Sequence, residues 1–374
     1  MMTRRTFLET ALGAGAVTIL SPLALRGKDV SSVEDLIRAE IASGRVSCVA
    51  CGACGASRRY ALGDRRALLG AAAPVQTTSL FELASLSKVF TAHLAASLAC
   101  AGALDLDAPF VRYLPEHVLA KEGSSVTIRD LASHTSGFTD AWLARAQVYS
   151  SETWPFADDA AFFRALFATR PVCSPNAQCV YSCTNFLLLG AILERVAGAD
   201  LDSLARRLVW GPLGMKTTTW RSIPGDPRAV RIWTKGWRPL GKKGDEIARQ
   251  VTRPVGNAGV FSSLDEMLLY VDDLVHQRAF PKACYETLFK TVYEKGRVCR
   301  TFGFDRAVGT NPAGWSRQSV NHSGYTGTYL AVDPSAGRGV VILANLHSSD
   351  RAARAENFEW RRRLAVALDE ERKI

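Results

Sequence analysis

The chain alternates between helical and strand-like patterns of apolar residues. From Val33 to Ser43 the apolar spacing predicts a short amphipathic helix, and from Arg45 to Ala56 small and β-branched residues predict a sheet strand. Val89 to Cys100 is apolar nearly all round and stops at Gly102, which predicts a buried, central helix ended by glycine. Between about 103 and 250 helical patterns such as Ala160 to Thr169 and Phe186 to Val196 are broken by Gly and Pro, with few convincing strands. Strands return from Gly256 onward. Gly324 to Asp333 and Gly339 to Asn345, joined by Pro334-Ser335-Ala336-Gly337, predict a hairpin, and Arg351 to Leu368 is again helical. The expected fold is α/β of the α+β kind: a mainly antiparallel sheet built from both chain ends, flanked by helices, with an inserted all-helical lobe. Residues 28–102 and 255–374 would form the α/β domain, 103–254 the lobe, and 1–27 an export signal.

Composition narrows the function classes. A chain of 374 residues with 47% hydrophobic and 22% charged residues can bury a full core and carries no long polar tract. Thr3-Arg4-Arg5-Thr6-Phe7-Leu8 precedes an apolar run, Ala11 to Leu25, broken by Gly13, Gly15 and Pro22. That run is too short to span a bilayer comfortably and reads as a twin-arginine export signal, with a retained anchor or a plain basic start as the alternative. A periplasmic or extracellular location is expected, without stable membrane insertion. The formal charge of +10 includes Arg361-Arg362-Arg363, expected as a solvated basic face on a surface helix. No basic stripe interleaved with stacking aromatics supports nucleic-acid binding. Nine cysteines leave at least one unpaired, and Cys173 and Cys179, flanking a turn-like Ser174-Pro175-Asn176, are plausible disulfide partners in an oxidising compartment. Cys48-x-x-Cys51-x-x-Cys54 has the look of a metal fragment, but it lacks a fourth ligand and sits among small residues suited to a packed strand. No metal or cofactor is expected.

Three stretches carry candidate chemistry. In Phe81-Glu82-Leu83-Ala84-Ser85-Leu86-Ser87-Lys88, a serine at a helix start and a lysine three residues on share one helical face. A hydroxyl nucleophile needs a base and donors for the developing oxyanion. Crowding can lower the lysine pKa so that a neutral amine serves as base, or a charged lysine can act on a neighbouring tyrosine. Val180-Tyr181-Ser182-Cys183-Thr184-Asn185 supplies such a phenol just before a helix, where its plain alternative is a core tyrosine. Asn321-His322-Ser323-Gly324-Tyr325-Thr326-Gly327 opens an edge-facing strand. Gly324 lets a substrate approach the backbone, and the Tyr325 N–H could join the Ser85 N–H as an oxyanion hole.

Taken together, these stretches resemble the serine β-lactamase-like family, which includes class C β-lactamases, D,D-peptidases, D-aminopeptidases and related esterases. The resemblance extends over about 300 residues, through Gly102-Ala103-Leu104-Asp105-Leu106-Asp107-Ala108-Pro109, Tyr113-Leu114-Pro115-Glu116, Thr127-Ile128-Arg129-Asp130-Leu131, Ser133-His134-Thr135-Ser136-Gly137, Pro212-Leu213-Gly214-Met215-Lys216 and Gly259-Val260-Phe261-Ser262-Ser263. It implies that Ser85 is acylated, that Lys88 and Tyr181 manage its proton, and that Ser85 and Tyr325 N–H groups hold the oxyanion. Cys183, His322, Ser323 and Gly324 would line the substrate site, and His134 would belong to a structural loop. Two positions depart from the pattern. Cys183 replaces the asparagine of Tyr-x-Asn, a weak thiol donor for a two-donor amide. His322 replaces the lysine of Lys-Thr-Gly and lacks its permanent charge.

The leading expectation is hydrolysis of an ester or a small or D-configured amide through an acyl-enzyme, with weak action on a lactam and oligomeric state open. Acyl transfer from the same intermediate is the first alternative, and a non-catalytic envelope-binding protein of the same fold is the second. Substrate choice is expected to lie in the loops around Trp142 to Trp154 and Trp233 to Gly244. The absence of Gly-x-Ser-x-Gly disfavours an α/β-hydrolase, and the absence of His-Glu-x-x-His disfavours zinc hydrolysis.

Overall fold

The run after Arg45 becomes strand β1 (Val46–Ala53), and a turn at Gly55, where φ is +74°, returns the chain as β2 (Arg59–Gly63). The chain's far end adds β3 (Val320–Ser323), β4 (Tyr329–Asp333) and β5 (Arg338–Leu346). These pair antiparallel throughout in the order β2-β1-β5-β4-β3, so the two chain ends meet where β1 lies beside β5. The expected hairpin is β4–β5. Its first strand starts only at Tyr329, because residues 324–328 form a turn beside the cleft described below. The structure, a computed structural model, describes residues 32–373 except 68, 71, 150–152, 308 and 349. The expected export signal lies outside the described residues.

Strand alternation distributes β1 over two cores. A bulge between Val46 and Val49 resets its register. Beyond it Val49, Cys51 and Ala53 face α1 (Val33–Ala42) and α5 (Arg351–Glu371), while Cys48, Ala50 and Cys54 face the opposite side. Side chains three apart on a strand point to opposite faces, so Cys48, Cys51 and Cys54 cannot converge on one ion. On the opposite side α4 (Leu264–His276) packs on β5 and β1, and α2 (Ser87–Cys100) packs on α3 (Cys183–Ala197). Every residue of α2 from Ser87 to Ala96 is buried, as its unbroken apolar run predicts.

Two expectations are corrected. Arg361, Arg362 and Arg363 do not form a solvated face: Arg361 is buried, Arg362 donates to the Asn311 carbonyl and to Glu359, and Arg363 alone is exposed. Successive helical residues point about 100° apart, and Arg361 falls on the face that Trp360 and Leu364 turn toward the sheet. Cys173 and Cys179 are also both free thiols, as are the other seven cysteines. The segment between them is pinned by Asn176 N–H on the Thr135 carbonyl (2.7 Å) and Val180 N–H on the His134 carbonyl (3.0 Å). This turns Cys179 toward the Ser133 carbonyl, while Cys173 accepts from Gln178. Among the described residues no helix is long and apolar enough to cross a membrane.

Candidate active site

Ser85 sits in a single 3-10 turn, Ala84–Leu86, directly ahead of α2. Ala84 before it has φ +48°, a left-handed conformation that costs a non-glycine residue about 1–2 kcal/mol. Several bonds hold this conformation in place. Leu83 N–H donates to the Val260 carbonyl (2.8 Å), Ser87 Oγ donates to the Ala84 carbonyl (2.7 Å), and Val260 N–H donates back to Ser87 Oγ (3.0 Å). From the other side Thr326 Oγ1 and Thr328 Oγ1 donate to the Glu82 and Leu83 carbonyls, each at 2.9 Å. The 324–328 turn is therefore strapped to the segment that presents Ser85.

One turn after Ser85, as the second residue of α2, Lys88 is buried with its Nζ 3.2 Å from Ser85 Oγ. It also donates to the Asn257 carbonyl (2.8 Å) and to Cys183 Sγ (3.8 Å), which uses all the protons of an ammonium. Asn257 reaches this position because α3 and the 256–257 segment touch through glycines: a Cβ on Gly256 would lie 2.3 Å from the Phe186 carbonyl oxygen. Burial alone disfavours the charged lysine, but Cys183, Tyr181 and Asp245 oppose it and the balance lies above the ordinary value. Burial pushes the Cys183 thiol up to about 12, outweighing the pull of Lys88. With Cys183 neutral at pH 7, support for the ammonium there comes from Asp245 and from the Asn257 carbonyl that accepts from it. Of the two roles open to the lysine, the charged one fits.

Tyr181 is half exposed and lies between two rings, 4.4 Å from His134 and 6.3 Å from His322 by centroid, with Lys88 Nζ 5.1 Å from its own. His134, in a left-handed conformation at φ +61°, accepts from Ser182 N–H at Nδ1 (3.2 Å), and its carbonyl holds Val180 N–H. Burial keeps His134 well below its ordinary pKa and neutral. It thus frames Tyr181, in keeping with the structural role expected of it. Cys183 is the first residue of α3, whose end is fixed by Asp140: that carboxylate accepts from Cys183 N–H (2.9 Å), Thr184 N–H (2.9 Å) and Ser182 Oγ (2.7 Å).

On the opposite wall, β3 at the sheet edge carries His322 and Ser323. Burial lowers His322 to about 3, with Lys88 and Arg300 pushing the same way. Its Nδ1 lies 3.0 Å from the Ser323 carbonyl, an acceptor, so Nδ1 carries the proton and Nε2 is left as an acceptor. The site therefore has a neutral acceptor at this position. A Cβ on Gly324 would lie 2.1 Å from Thr328 Oγ1 and 2.5 Å from the Leu83 carbonyl, so only glycine permits this approach of the turn to the segment that carries Ser85.

Ser85, Tyr181, Cys183, His322, Ser323, Gly324 and Tyr325 all line one cleft of about 580 Å³, with Lys88 buried behind it. A model of the Beta-lactamase family matches residues 33–364. The chain belongs to this family. Esterase EstB of Burkholderia gladioli is 30% identical over 331 residues, 77% of this chain and 82% of EstB. The D-alanyl-D-alanine-carboxypeptidase/endopeptidase AmpH of Escherichia coli K12 is 24% identical over 62% of this chain, and the match spans only 58% of AmpH's length. Among solved structures, EstCE1, described as a hydrolase with promiscuous acyltransferase activity, superposes with a TM-score of 0.73 at 20% identity, covering 90% of this chain and 97% of EstCE1. A class C β-lactamase from Rhodobacter sphaeroides gives 0.69 at 23% identity, covering 90% of this chain and 97% of its own. The family and the fold expected from the motifs are both borne out.

Beyond the family motifs, the cleft contains residues that sequence reading missed. Asp245, Glu246, Arg300, Arg354 and Arg361 also line it. Arg300 lies 6.0 Å from the Tyr181 ring centre and 3.5 Å from Asp305. From the two loops expected to choose substrate, Tyr149 and the segments at Thr234-Lys235 and Gly244 reach the cleft, whereas Trp142 donates to Thr184 Oγ1 (2.8 Å) within the aromatic core. Asp140 and Asn257 were findable in principle, since each lies two or three residues from a quoted family segment. The arginines of α5 carried no such signal.

Proposed function

We propose that this chain is a serine hydrolase that forms an acyl-enzyme at Ser85 from an ester or a small or D-configured amide. The observation that carries the reading is the Lys88 ammonium, anchored on the Asn257 carbonyl and donating to Ser85 Oγ at the floor of the cleft. In the reacting state Tyr181 is the phenolate, its own proton having left to solvent: Ser85 Oγ attacks the substrate carbonyl while this phenolate takes its proton, and the Lys88 ammonium offsets the charge that Tyr181 and Oγ share during the transfer. The N–H groups of Ser85 and Tyr325 hold the oxyanion. The leaving group departs with the proton from Tyr181, and water, deprotonated by the same group, then releases the acid. An alcohol or amine in place of water gives acyl transfer.

A neutral acceptor at His322 and a neutral thiol at Cys183 support esters over substrates that require a cation and a two-donor amide at those positions. The twin-arginine start supports an exported, periplasmic or extracellular enzyme. Mass spectrometry after treatment with a fluorophosphonate tests the chemistry. An adduct on Ser85, absent in a folded Ser85→Ala variant, is expected, and equal labelling of the two would refute the assignment. Rates on p-nitrophenyl esters, nitrocefin and D-alanyl peptides, with and without an added alcohol, rank the substrates and separate hydrolysis from transfer.

A further inference from the structure

Helix α5 sends Arg354, Phe358 and Arg361 to the cleft from positions i, i+4 and i+7, a single helical face. Arg354 stacks its guanidinium 3.7 Å from the centre of the Tyr325 ring. Arg361 lies deeper and is buried. Its Nη1 donates to the Thr328 carbonyl (2.6 Å) and the Gly324 carbonyl (3.4 Å), and its Nε to the Asn357 carbonyl (3.4 Å). No carboxylate pairs with it among the described residues. Burial lowers it to about 10, which leaves it charged at neutral pH. An unpaired buried cation is an expensive way to close a turn that Thr326, Thr328 and Arg354 already hold.

The Gly324 carbonyl and the Tyr325 N–H are two ends of one peptide group. A donor on the oxygen draws density away from the nitrogen and strengthens the N–H as a donor on the other side. We propose that Arg361 is a positioning residue for acyl transfer: from behind the 324–328 turn it fixes the Gly324–Tyr325 peptide and polarises its N–H toward the developing oxyanion. This rests on the reading of Ser85 as nucleophile and Tyr325 N–H as oxyanion donor. The fixed positive charge, which Glu40 offsets only from a distance, acts most on the state that carries negative charge, so its effect falls on the transition state rather than on ground-state binding.

The test compares wild type, Arg361→Met and Arg361→Lys in the full chain, using p-nitrophenyl butyrate as substrate and phenylboronic acid, which forms an anionic tetrahedral adduct on serine. Loss of a whole oxyanion donor costs about 100- to 1000-fold, so loss of its polarising partner is expected to lower kcat by about tenfold. Boronic-acid affinity should fall by a similar factor, KM should change less than twofold, and Arg361→Lys should recover most of both losses. A role confined to holding the fold would lower the melting temperature and shift KM and boronic-acid affinity alike. Arg361→Met with wild-type kcat and boronic-acid affinity overturns the proposal. Should that variant fail to fold, Arg361→Gln, which keeps a donor without the charge, decides in its place: it must weaken the boronic acid more than it raises KM, and equal changes overturn the proposal. Fluorophosphonate labelling of wild-type Ser85 separates the two levels. Without a label the parent reading falls and takes this one with it, whereas a labelled Ser85 with unaltered Arg361→Met kinetics refutes only the role of Arg361.

Discussion

Buried neutral histidines give this protein a predictable weakness in acid. His93 is enclosed in α2 with Nδ1 3.3 Å from the Tyr270 hydroxyl, its ring 4.4 Å from Phe280, and no partner for Nε2 among the described residues. Burial lowers it to about 3, and His322 likewise. Above pH 6.5 both folded and unfolded chains hold these rings neutral, so neither contributes to the slope. As pH falls below 6.5 the unfolded chain binds protons that the folded chain refuses until about pH 3, and stability falls with pH across that window. Each histidine costs about 1.4 kcal/mol per pH unit, hence about 2 kcal/mol at pH 5 and about 4 for the pair, against a typical total of roughly 5–15. Glu82 works in the opposite sense. Burial raises it to about 7, so its contribution is present below its unfolded value and lost as pH rises toward 7. The net slope mixes these effects, and the informative quantity is a difference between proteins. His93→Gln keeps a polar partner for Tyr270 and removes one titrating ring that does not line the cleft. Urea unfolding at pH 7, 6 and 5 should show its stability falling less steeply than wild type by about 1.3 kcal/mol per pH unit near pH 5. Parallel curves for the two proteins would refute the reasoning, whatever their offset at pH 7.

Three further outcomes are expected. Cys183→Asn returns a two-donor amide beside Lys88, and one added hydrogen bond of about 1 kcal/mol should raise kcat/KM for nitrocefin about fivefold relative to a p-nitrophenyl ester; an unchanged ratio counts against substrate contact at 183. Gly324→Ala drives a Cβ against Thr328 Oγ1 and the Leu83 carbonyl, and displacement of the oxyanion turn should cut ester hydrolysis by at least about 100-fold, whereas activity within tenfold of wild type would show that the turn tolerates the shift. Asp140→Ala leaves the first N–H groups of α3 without their acceptor and should lower stability by about 2 kcal/mol in urea, with kcat falling as Tyr181 loses its fixed position; unaltered stability would remove Asp140 from this role.

Where one segment's pattern decides its surroundings, sequence reading succeeded. The all-apolar stretch after Ser85 could only be a buried helix, and the turn residues 334–337 could only join a hairpin, so the sheet, its two-ended origin and the motif positions were legible. The failures are places where burial depends on partners far away in sequence. Whether Arg361 meets water or the back of a turn is decided by how α5 docks on β5, about which three consecutive arginines say nothing. Cys173 and Cys179 looked paired by spacing alone, yet separate backbone anchors turn them to different neighbours. Likewise β2 was missed because its return from β1 depends on a turn at Gly55 embedded in a run of small residues.

The departures at 183 and 322 act on one charge balance. Lys88 spends its protons on Ser85, Asn257 and a neutral sulfur, so none is spare for a substrate. His322 offers Nε2 as an acceptor where a lysine would offer a cation, leaving the β3 wall beside the nucleophile without positive charge of its own. Each of the other cations that line the cleft has a partner of its own. Lys235 faces Glu246, Arg300 faces Asp305, Arg354 is stacked on Tyr325, and Arg361 is bonded to backbone carbonyls. A substrate carboxylate next to the scissile bond would thus have to draw a cation such as Arg300 from its present partner, whereas a neutral acyl group gives up nothing comparable. This asymmetry moves the proposed substrate from a charged lactam toward an ester. On the proposed mechanism the oxyanion forms only as Ser85 attacks, which makes it the negative charge that the cleft's buried cations would meet.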